Sequence, residues 1–182
     1  SALVEAVKNR AGNLSPYSMT ATDFDITFIT PVNIYGTKDQ VRRPVMDFGS
    51  WSEYFAGYPR VLLVRITPKM VEGLWAKVAR GAAMTQGMSL PPMKRAKAGF
   101  LRMRAFCGDT EVTPIHPFMV EHRVSETEAI YEGLYVFDPA ALGPSCSAVK
   151  LTVYSEKAPD TGDARVVDQK VVQQIARDFA SL

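Results

Sequence analysis

The chain has 182 residues, of which 47% are hydrophobic, and its charged side chains leave a formal charge of +2. This length fits one globular domain, and the near-neutral charge gives no overall electrostatic argument for binding nucleic acid or a membrane. No apolar run approaches the roughly 20 residues of a membrane-spanning helix. We therefore expect residues 1–182 to form a single globular domain, and because they begin at Ser1 we expect it to be excised from a longer protein.

The first third of the chain predicts a helix and two strands separated by a long connection. Ala2–Arg10 carries its apolar residues on one helical face, whereas Asp23–Tyr35 alternates apolar and polar residues as a half-buried strand does. A capping-box pattern predicts one helical turn over Trp51–Phe55. The apolar run within Arg60–Ile66 is typical of a central strand.

A helix is predicted directly after that central strand. Thr67 has the hydroxyl of an N-cap, and Pro68 suits the first helical position. The following apolar residues have helical spacing up to Gly81. They are Met70, Val71, Leu74, Trp75, Val78 and Ala79. We expect an amphipathic helix over Thr67–Gly81 that packs against a sheet.

The rest of the chain predicts more strands, a polar loop over Ser155–Ala164 and a last helix capped by Asp168. Two prolines interrupt one of the strands, which is typical of an edge or bulged strand. The strands are Phe100–Cys107, Glu111–Val124, Ala129–Phe137 and Ala148–Tyr154. Six or seven strands without helical crossovers predict an α+β, mainly β fold. We expect an antiparallel β-sandwich-like sheet with two or three flanking helices.

The two cysteines stand at strand ends that antiparallel pairing would bring together. Cys107 ends one predicted strand and Cys146 precedes another. A disulfide between them would close a loop of about 40 residues and stabilise the fold by about 4 kcal/mol. It would also indicate an oxidising compartment. The alternative is a pair of reduced, buried cysteines that pack as small apolar residues.

The sequence lacks a convincing catalytic or metal-binding motif. His116 and His122 share one face of an extended segment but lie about 20 Å apart, so they cannot ligate one metal unless the segment folds back. Serine-nucleophile and phosphate-loop motifs are absent, and Asp160-Thr161-Gly162 is interpreted as a polar turn. We therefore predict no catalytic residue, metal or cofactor.

Two segments are candidate contact surfaces. Gly73–Gly108 contains seven basic residues and no acidic one. Five of these bases could form a patch for an anionic ligand or an acidic protein, namely Lys94, Arg95, Lys97, Arg102 and Arg104. The long connection is rich in aromatic residues, of which Trp51, Tyr54 and Tyr58 are candidate contacts. The alternatives are a solvated basic face and a satellite hydrophobic core.

These features favour a non-catalytic binding or protein-interaction module from a periplasmic or secreted protein. A protein or anionic ligand is the expected partner, and nucleic acid is not. One alternative is a hydrolase that uses His116 or His122 with a carboxylate. Another is a purely structural domain that packs against neighbours in the parent chain, which predicts an exposed apolar patch.

Overall fold

The computed structural model describes residues 15–33, 60–90, 94–123, 126 and 128–181. Strands dominate these ranges. They are β1 (Ser18–Thr20), β2 (Phe24–Ile29), β3 (Leu62–Pro68), β4 (Met70–Glu72), β5 (Lys94–Ala96), β6 (Phe100–Cys107), β7 (Thr110–Val112), β8 (His116–Arg123), β9 (Ala129–Phe137), β10 (Val149–Ser155) and β11 (Ala158–Val166). Helices α1 (Leu74–Thr85) and α2 (Gln169–Ala180) flank them. The predicted helix at Ala2–Arg10 and the turn at Trp51–Phe55 lie outside the described residues.

The strands form two antiparallel sheets and a small ribbon. The first sheet has the order β1-β2-β3-β9-β8, the second has the order β11-β10-β6-β7, and β4 pairs with β5 in the ribbon. All these pairings are antiparallel, and β3 is central, as predicted. The single strand predicted over Glu111–Val124 is instead two edge strands, β7 in the second sheet and β8 in the first. The predicted α+β fold with a sandwich-like arrangement is confirmed.

The two sheets share one hydrophobic core. Alternate residues of β2, β3 and β9 meet alternate residues of β6 and β10, because successive side chains of a strand point to opposite faces. The hydroxyl of Tyr135 in β9 accepts a hydrogen bond of 2.9 Å from the backbone N–H of Met103 in β6, which joins the sheets directly. Burial raises the pKa of Tyr135, so the phenol remains protonated at neutral pH.

Helix α2 closes the sandwich at one end. Its N-cap is Asp168, which accepts a hydrogen bond of 2.8 Å from the backbone N–H of Lys170, as predicted. Three apolar residues of α2 enter the core, namely Val171, Val172 and Ile175. The buried carboxylate of Asp178 accepts hydrogen bonds from the hydroxyls of Tyr17 and Thr30, which fasten the helix to the first sheet.

The structure corrects the predicted helix over Thr67–Gly81. Thr67 and Pro68 are the last residues of β3, and α1 begins only at Leu74. The strand continues to Pro68 because this residue is buried opposite Phe24 of β2. Proline has no backbone N–H to donate, but a strand end tolerates this. Met70–Glu72 then pairs with β5, a partner distant in sequence. No helix among the described residues has the length and hydrophobicity needed to span a membrane.

The predicted polar loop over Ser155–Ala164 is also wrong. A tight turn follows Ser155, and Ala158–Val166 forms β11, the edge strand of the second sheet. Most of its residues are exposed or half-buried, so the sequence shows no apolar alternation. Gly162 adopts φ +64°, a backbone conformation that residues with a side chain rarely adopt, which explains the turn-like composition there.

The predicted disulfide between Cys107 and Cys146 is present, with a distance of 5.1 Å between the Cα atoms. Its position follows from the pairing of β6 with β10, in which Cys107 lies opposite Val149. The backbone N–H of Gly108 also donates a hydrogen bond of 2.7 Å to the carbonyl of Ala148. After Cys107 the chain leaves the second sheet to form β8 and β9 of the first sheet, and it returns to the second sheet after Cys146. The disulfide therefore links the two ends of this segment.

Gly133 provides a test of the packing between the sheets. A Cβ atom at Gly133 would lie 2.5 Å from Cζ of Phe100, whose ring occupies this space between the sheets. We expect Gly133→Ala to lower the free energy of unfolding by about 2 kcal/mol, because the ring must leave its position. Gly81→Ala is the matched control, since nothing lies within 4 Å of the position that its methyl group would take and alanine favours the helix. Chemical denaturation of both variants measures the difference, and equal stabilities would contradict this packing.

Candidate binding surfaces

The outer face of the second sheet, turned away from the core, carries Arg102 and Arg104. These residues alternate in β6 with the buried Met103 and Ala105, so both arginines leave the sheet on the same side. Arg102 lies opposite Tyr154 of β10. Its guanidinium stands 4.2 Å from the centre of the Tyr154 ring, a cation–π contact that holds the arginine flat on the sheet.

Arg104 and Arg102 differ in their contacts with acidic side chains among the described residues. Arg104 binds the carboxylate of Glu111 through two hydrogen bonds of 2.9 and 2.7 Å and also contacts the hydroxyl of Tyr154. This pairing raises the pKa of Arg104 and lowers the pKa of Glu111. Within the part of the chain that the structure describes, no carboxylate forms an ion pair with Arg102. The charge of Arg102 also lowers the pKa of Glu111, although less than the hydrogen bond from Arg104 does, so among the described residues Arg102 differs from Arg104 in lacking a direct ion pair.

The predicted basic patch is divided among three places. Lys94 and Arg95 lie on β5, in the ribbon with β4, rather than on the second sheet. The ammonium of Lys97 lies 3.4 Å from the carboxylate of Asp23 and donates to the carbonyl of Thr22, so it is bound to the turn between β1 and β2. Of the five predicted bases, only Arg102 and Arg104 lie together on one surface, where both contact Tyr154.

The aromatic candidates of the long connection, Trp51, Tyr54 and Tyr58, lie outside the described residues. The aromatic side chain that the structure places beside the arginines is Tyr154, which the sequence analysis did not select. Strand parity was the available signal, because Tyr154 stands in β10 between the inward-facing Val153 and the strand end. Its register opposite Arg102 depends on long-range pairing and was not visible.

Helix α1 exposes apolar side chains, contrary to the expectation that its apolar residues pack against a sheet. Leu74, Trp75 and Val78 have 73%, 82% and 53% of their surface exposed. The side turned to the protein carries small or paired residues, with Ala83 buried and Arg80 bound to Glu72 at 2.7 Å. This helix presents a second candidate contact surface.

The two histidines lie on one face of β8, as predicted, and this face of the first sheet is turned away from the second sheet. His116 pairs with Val136 and His122 with Ile130, which places both side chains on one face of β8. Nε2 of His122 lies 3.1 Å from Oε2 of Glu132 but makes no hydrogen bond of good geometry to a described residue. Among the described residues no group of three His, Cys, Asp or Glu side chains could hold a metal ion.

Glu132 belongs to an ion pair that the sequence analysis missed. Its buried carboxylate accepts hydrogen bonds of 3.1 and 3.0 Å from the guanidinium of Arg65 in β3. Arg65 lies within the apolar run of β3 and Glu132 within β9, on the outer face of both strands. Arg65 therefore engages both carboxylate oxygens of Glu132 and fixes the orientation of this side chain.

An open pocket of about 380 Å³ lies between the 3-10 turn Pro139–Leu142 and α2. Its walls are mainly apolar, with Val172, Ile175 and Phe179 from the helix and Arg60 as the charged lining residue. None of the predicted site residues lines it. Since no histidine, cysteine or carboxylate is among the described residues of this lining, those residues do not form an acid–base pair.

Comparison with known proteins gives no functional assignment. No protein-family model matches the sequence, and no curated protein sequence matches it. The chain is similar in structure to a novel protein of unknown function from Burkholderia pseudomallei K96243, with 10% sequence identity and a TM-score of 0.48. The match covers 97% of this chain and 89% of that protein. A similarity this distant carries no information about binding or catalysis.

Proposed function

We propose that this chain is a non-catalytic binding module that contacts an acidic protein partner through the outer face of its second sheet. The observation that carries the proposal is Arg102, which is exposed, stacked on Tyr154 and without an acidic partner among the described residues. Stacking fixes the guanidinium before a partner arrives, so less side-chain entropy is lost when a carboxylate binds.

Neighbouring charges extend this cationic face and set its strength. Arg104 stands beside Arg102 on β6, although Glu111 holds its guanidinium. Lys150 of β10 lies farther along the same sheet, 3.5 Å from the exposed carboxylate of Asp109. Both acids are on the surface, where ion pairs are weak and an incoming carboxylate competes effectively. Among the described residues, the face therefore offers one cation without a direct ion pair and two that a partner can recruit.

We further propose that the module works in an extracytoplasmic compartment. The disulfide between Cys107 and Cys146 supports this part of the proposal, because such bonds persist in oxidising environments and are rare in the cytosol.

The hydrolase hypothesis is supported only by the contact between His122 and Glu132. A general base must reach its substrate, whereas Glu132 is buried and bound by Arg65.

Binding of poly-L-glutamate, an acidic polypeptide, tests the proposed surface. We expect the wild-type domain to bind it in a salt-sensitive manner and Arg102→Gln to weaken binding about five-fold, since one desolvated charge contact is lost. Lys170→Gln, which removes the same charge from the exposed start of α2, is the matched control and should bind as wild type does.

Glu111→Gln provides the opposite test on the same face. It removes the acid that occupies Arg104 and should strengthen binding of poly-L-glutamate. Fluorescence anisotropy with labelled poly-L-glutamate at several salt concentrations measures all four proteins. Equal affinities of Arg102→Gln and Lys170→Gln, or no binding by the wild-type domain, would contradict the proposal.

A further inference from the structure

The apolar side chains of α1 point away from the domain. Residues four apart share one helical face, and Leu74 and Val78, both largely exposed, define such a face in α1. Trp75 lies about 100° further round the helix and is 82% exposed. The side of α1 that faces the protein carries small residues such as Ala83, which is buried. The amphipathic helix is thus mounted with its apolar side outward.

The segment after α1 continues this apolar surface. Met84, Met88 and Leu90 are 68%, 55% and 45% exposed. Together with the three residues of the helix, they place six large apolar side chains in solvent within residues 74–90. Other exposed apolar residues of the described chain lie elsewhere, for example Ile115 directly before β8 and Val166 at the end of β11. A concentration of this kind marks an interaction surface.

Basic residues accompany this apolar surface. Lys77 is exposed on α1 itself, and Lys94 and Arg95 lie on the adjoining ribbon strand β5. Nε of Arg95 would lie 4.0 Å from a Cβ placed at Gly73, directly before the helix. Three of the seven basic residues in Gly73–Gly108 already form ion pairs, namely Arg80, Lys97 and Arg104. Lys77, Lys94 and Arg95 form none with the described residues, so the complementary partner is anionic as well as apolar.

We propose that residues 74–90 dock on an anionic lipid membrane, with α1 lying in the plane of the interface. At 12 residues α1 is about 18 Å long, too short to cross a hydrocarbon core of about 30 Å. Leu74, Trp75 and Val78 insert at the boundary between headgroups and acyl chains, while Lys77 reaches lipid phosphates. This surface is separate from the proposed acidic-protein site on the second sheet.

The shape of the surface favours a bilayer over a groove in another protein. Leu74, Val78 and Trp75 span about 100° of the helix circumference, given 100° per residue. Met84 extends the exposed face to about half of the circumference, with Lys77 between Met84 and Leu74. A helix-binding groove in a protein contacts a narrow stripe of the helix surface. A bilayer contacts a wider, convex part of that surface, because the helix sinks into it. Leucine, methionine and tryptophan are also the side chains that adapt to such an interface.

Vesicle binding tests the proposal. We expect the wild-type domain to co-sediment with phosphatidylcholine vesicles containing phosphatidylglycerol, and much less with pure phosphatidylcholine vesicles. The triple variant Leu74→Ser/Trp75→Ser/Val78→Ser should lose at least about ten-fold in partitioning. In a Trp51→Phe background, Trp75 is the remaining tryptophan, and its emission should shift to shorter wavelength when anionic vesicles are added.

Matched variants distinguish this surface from general stickiness and from fold loss. Val166→Ser and Ile115→Ser remove exposed apolar side chains elsewhere and should bind as wild type does. Lys77→Glu should weaken binding to anionic vesicles, whereas Lys170→Glu, at the exposed start of α2, should not. Circular dichroism verifies that each variant is folded. If the folded triple variant partitions as the wild type does, the proposal is overturned.

Self-association is the competing explanation for the same exposed surface. A wild-type domain that forms dimers abolished by the triple variant, and that ignores anionic vesicles, would show that α1 binds a second copy and would overturn the membrane proposal. Failure of vesicle binding leaves poly-L-glutamate binding at Arg102 unaffected, and the reverse also holds. The two proposals are therefore tested independently.

Discussion

Replacing both cysteines with alanine is expected to lower the free energy of unfolding by about 4 kcal/mol. Cys107 and Cys146 are separated by 39 residues, and the bond between them restricts the unfolded chain over that length. The loop closed by the disulfide contains β8 and β9, which belong to the first sheet, whereas β6 and β10 on either side of it belong to the second. Loss of the disulfide therefore raises the conformational entropy of this segment in the unfolded chain, so more entropy is lost when β8 and β9 fold into the first sheet.

Denaturant unfolding of Cys107→Ala/Cys146→Ala beside the wild-type domain measures this effect. Dithiothreitol is the matched control, because it should bring the wild-type midpoint down to that of the double variant and leave the double variant unchanged. Thiol counting under denaturing conditions confirms that reduction is complete. If the fully reduced wild-type domain unfolds at the same denaturant concentration as the oxidised one, the bond does not stabilise the fold in this way.

Glu132→Gln is expected to lower the free energy of unfolding by about 3 kcal/mol. The substitution retains the size of the side chain but leaves the Arg65 guanidinium without its carboxylate on the outer face of the first sheet. Arg65 is 24% exposed, so part of its charge remains hydrated, and the loss stays at the lower end expected for a buried ion pair.

Two further variants separate the ion pair from its surroundings. Glu111→Gln removes a carboxylate from an exposed arginine pair, and because both groups are solvated we expect no measurable loss of stability. Arg65→Met/Glu132→Leu replaces both charges with apolar groups of similar size and should regain most of the stability lost by Glu132→Gln. A double variant less stable than Glu132→Gln would show that the pair contributes more than mutual charge compensation.

Local patterns predicted the central elements of the fold. Buried strands such as β3 and β9 have apolar residues packed on both faces, and α2 combines a capping aspartate with an apolar stripe that does enter the core. The disulfide was predictable for a related reason. Once β6 and β10 are recognised as strands, antiparallel pairing brings Cys107 close to Cys146.

The errors occur where a distant partner decides the local structure. Thr67 and Pro68 have the composition of a helix start, but pairing with β2 keeps them in β3. Strand β11 is an edge strand with few buried residues, so its polar sequence resembles a loop. The orientation of α1 could not be predicted either, because helical spacing shows that an apolar face exists and not whether the domain covers it.

The candidate surface was predictable only in part, for the same physical reason. Strand alternation places Arg102 and Arg104 on one face, and this was visible in the sequence. Their different electrostatic states depend on Glu111 in β7 and Tyr154 in β10. Such cross-strand pairs require the register of the sheet, which local sequence does not contain.

The central claim is that the face around Arg102 binds an acidic partner, and amide NMR during titration with poly-L-glutamate tests it most directly. We predict that chemical-shift changes concentrate on β6 and on Tyr154 of β10, and that added salt reverses them. Arg102→Gln should remove these changes while Lys170→Gln retains them. Shifts confined to the pocket beside α2, or none at all, would contradict the claim.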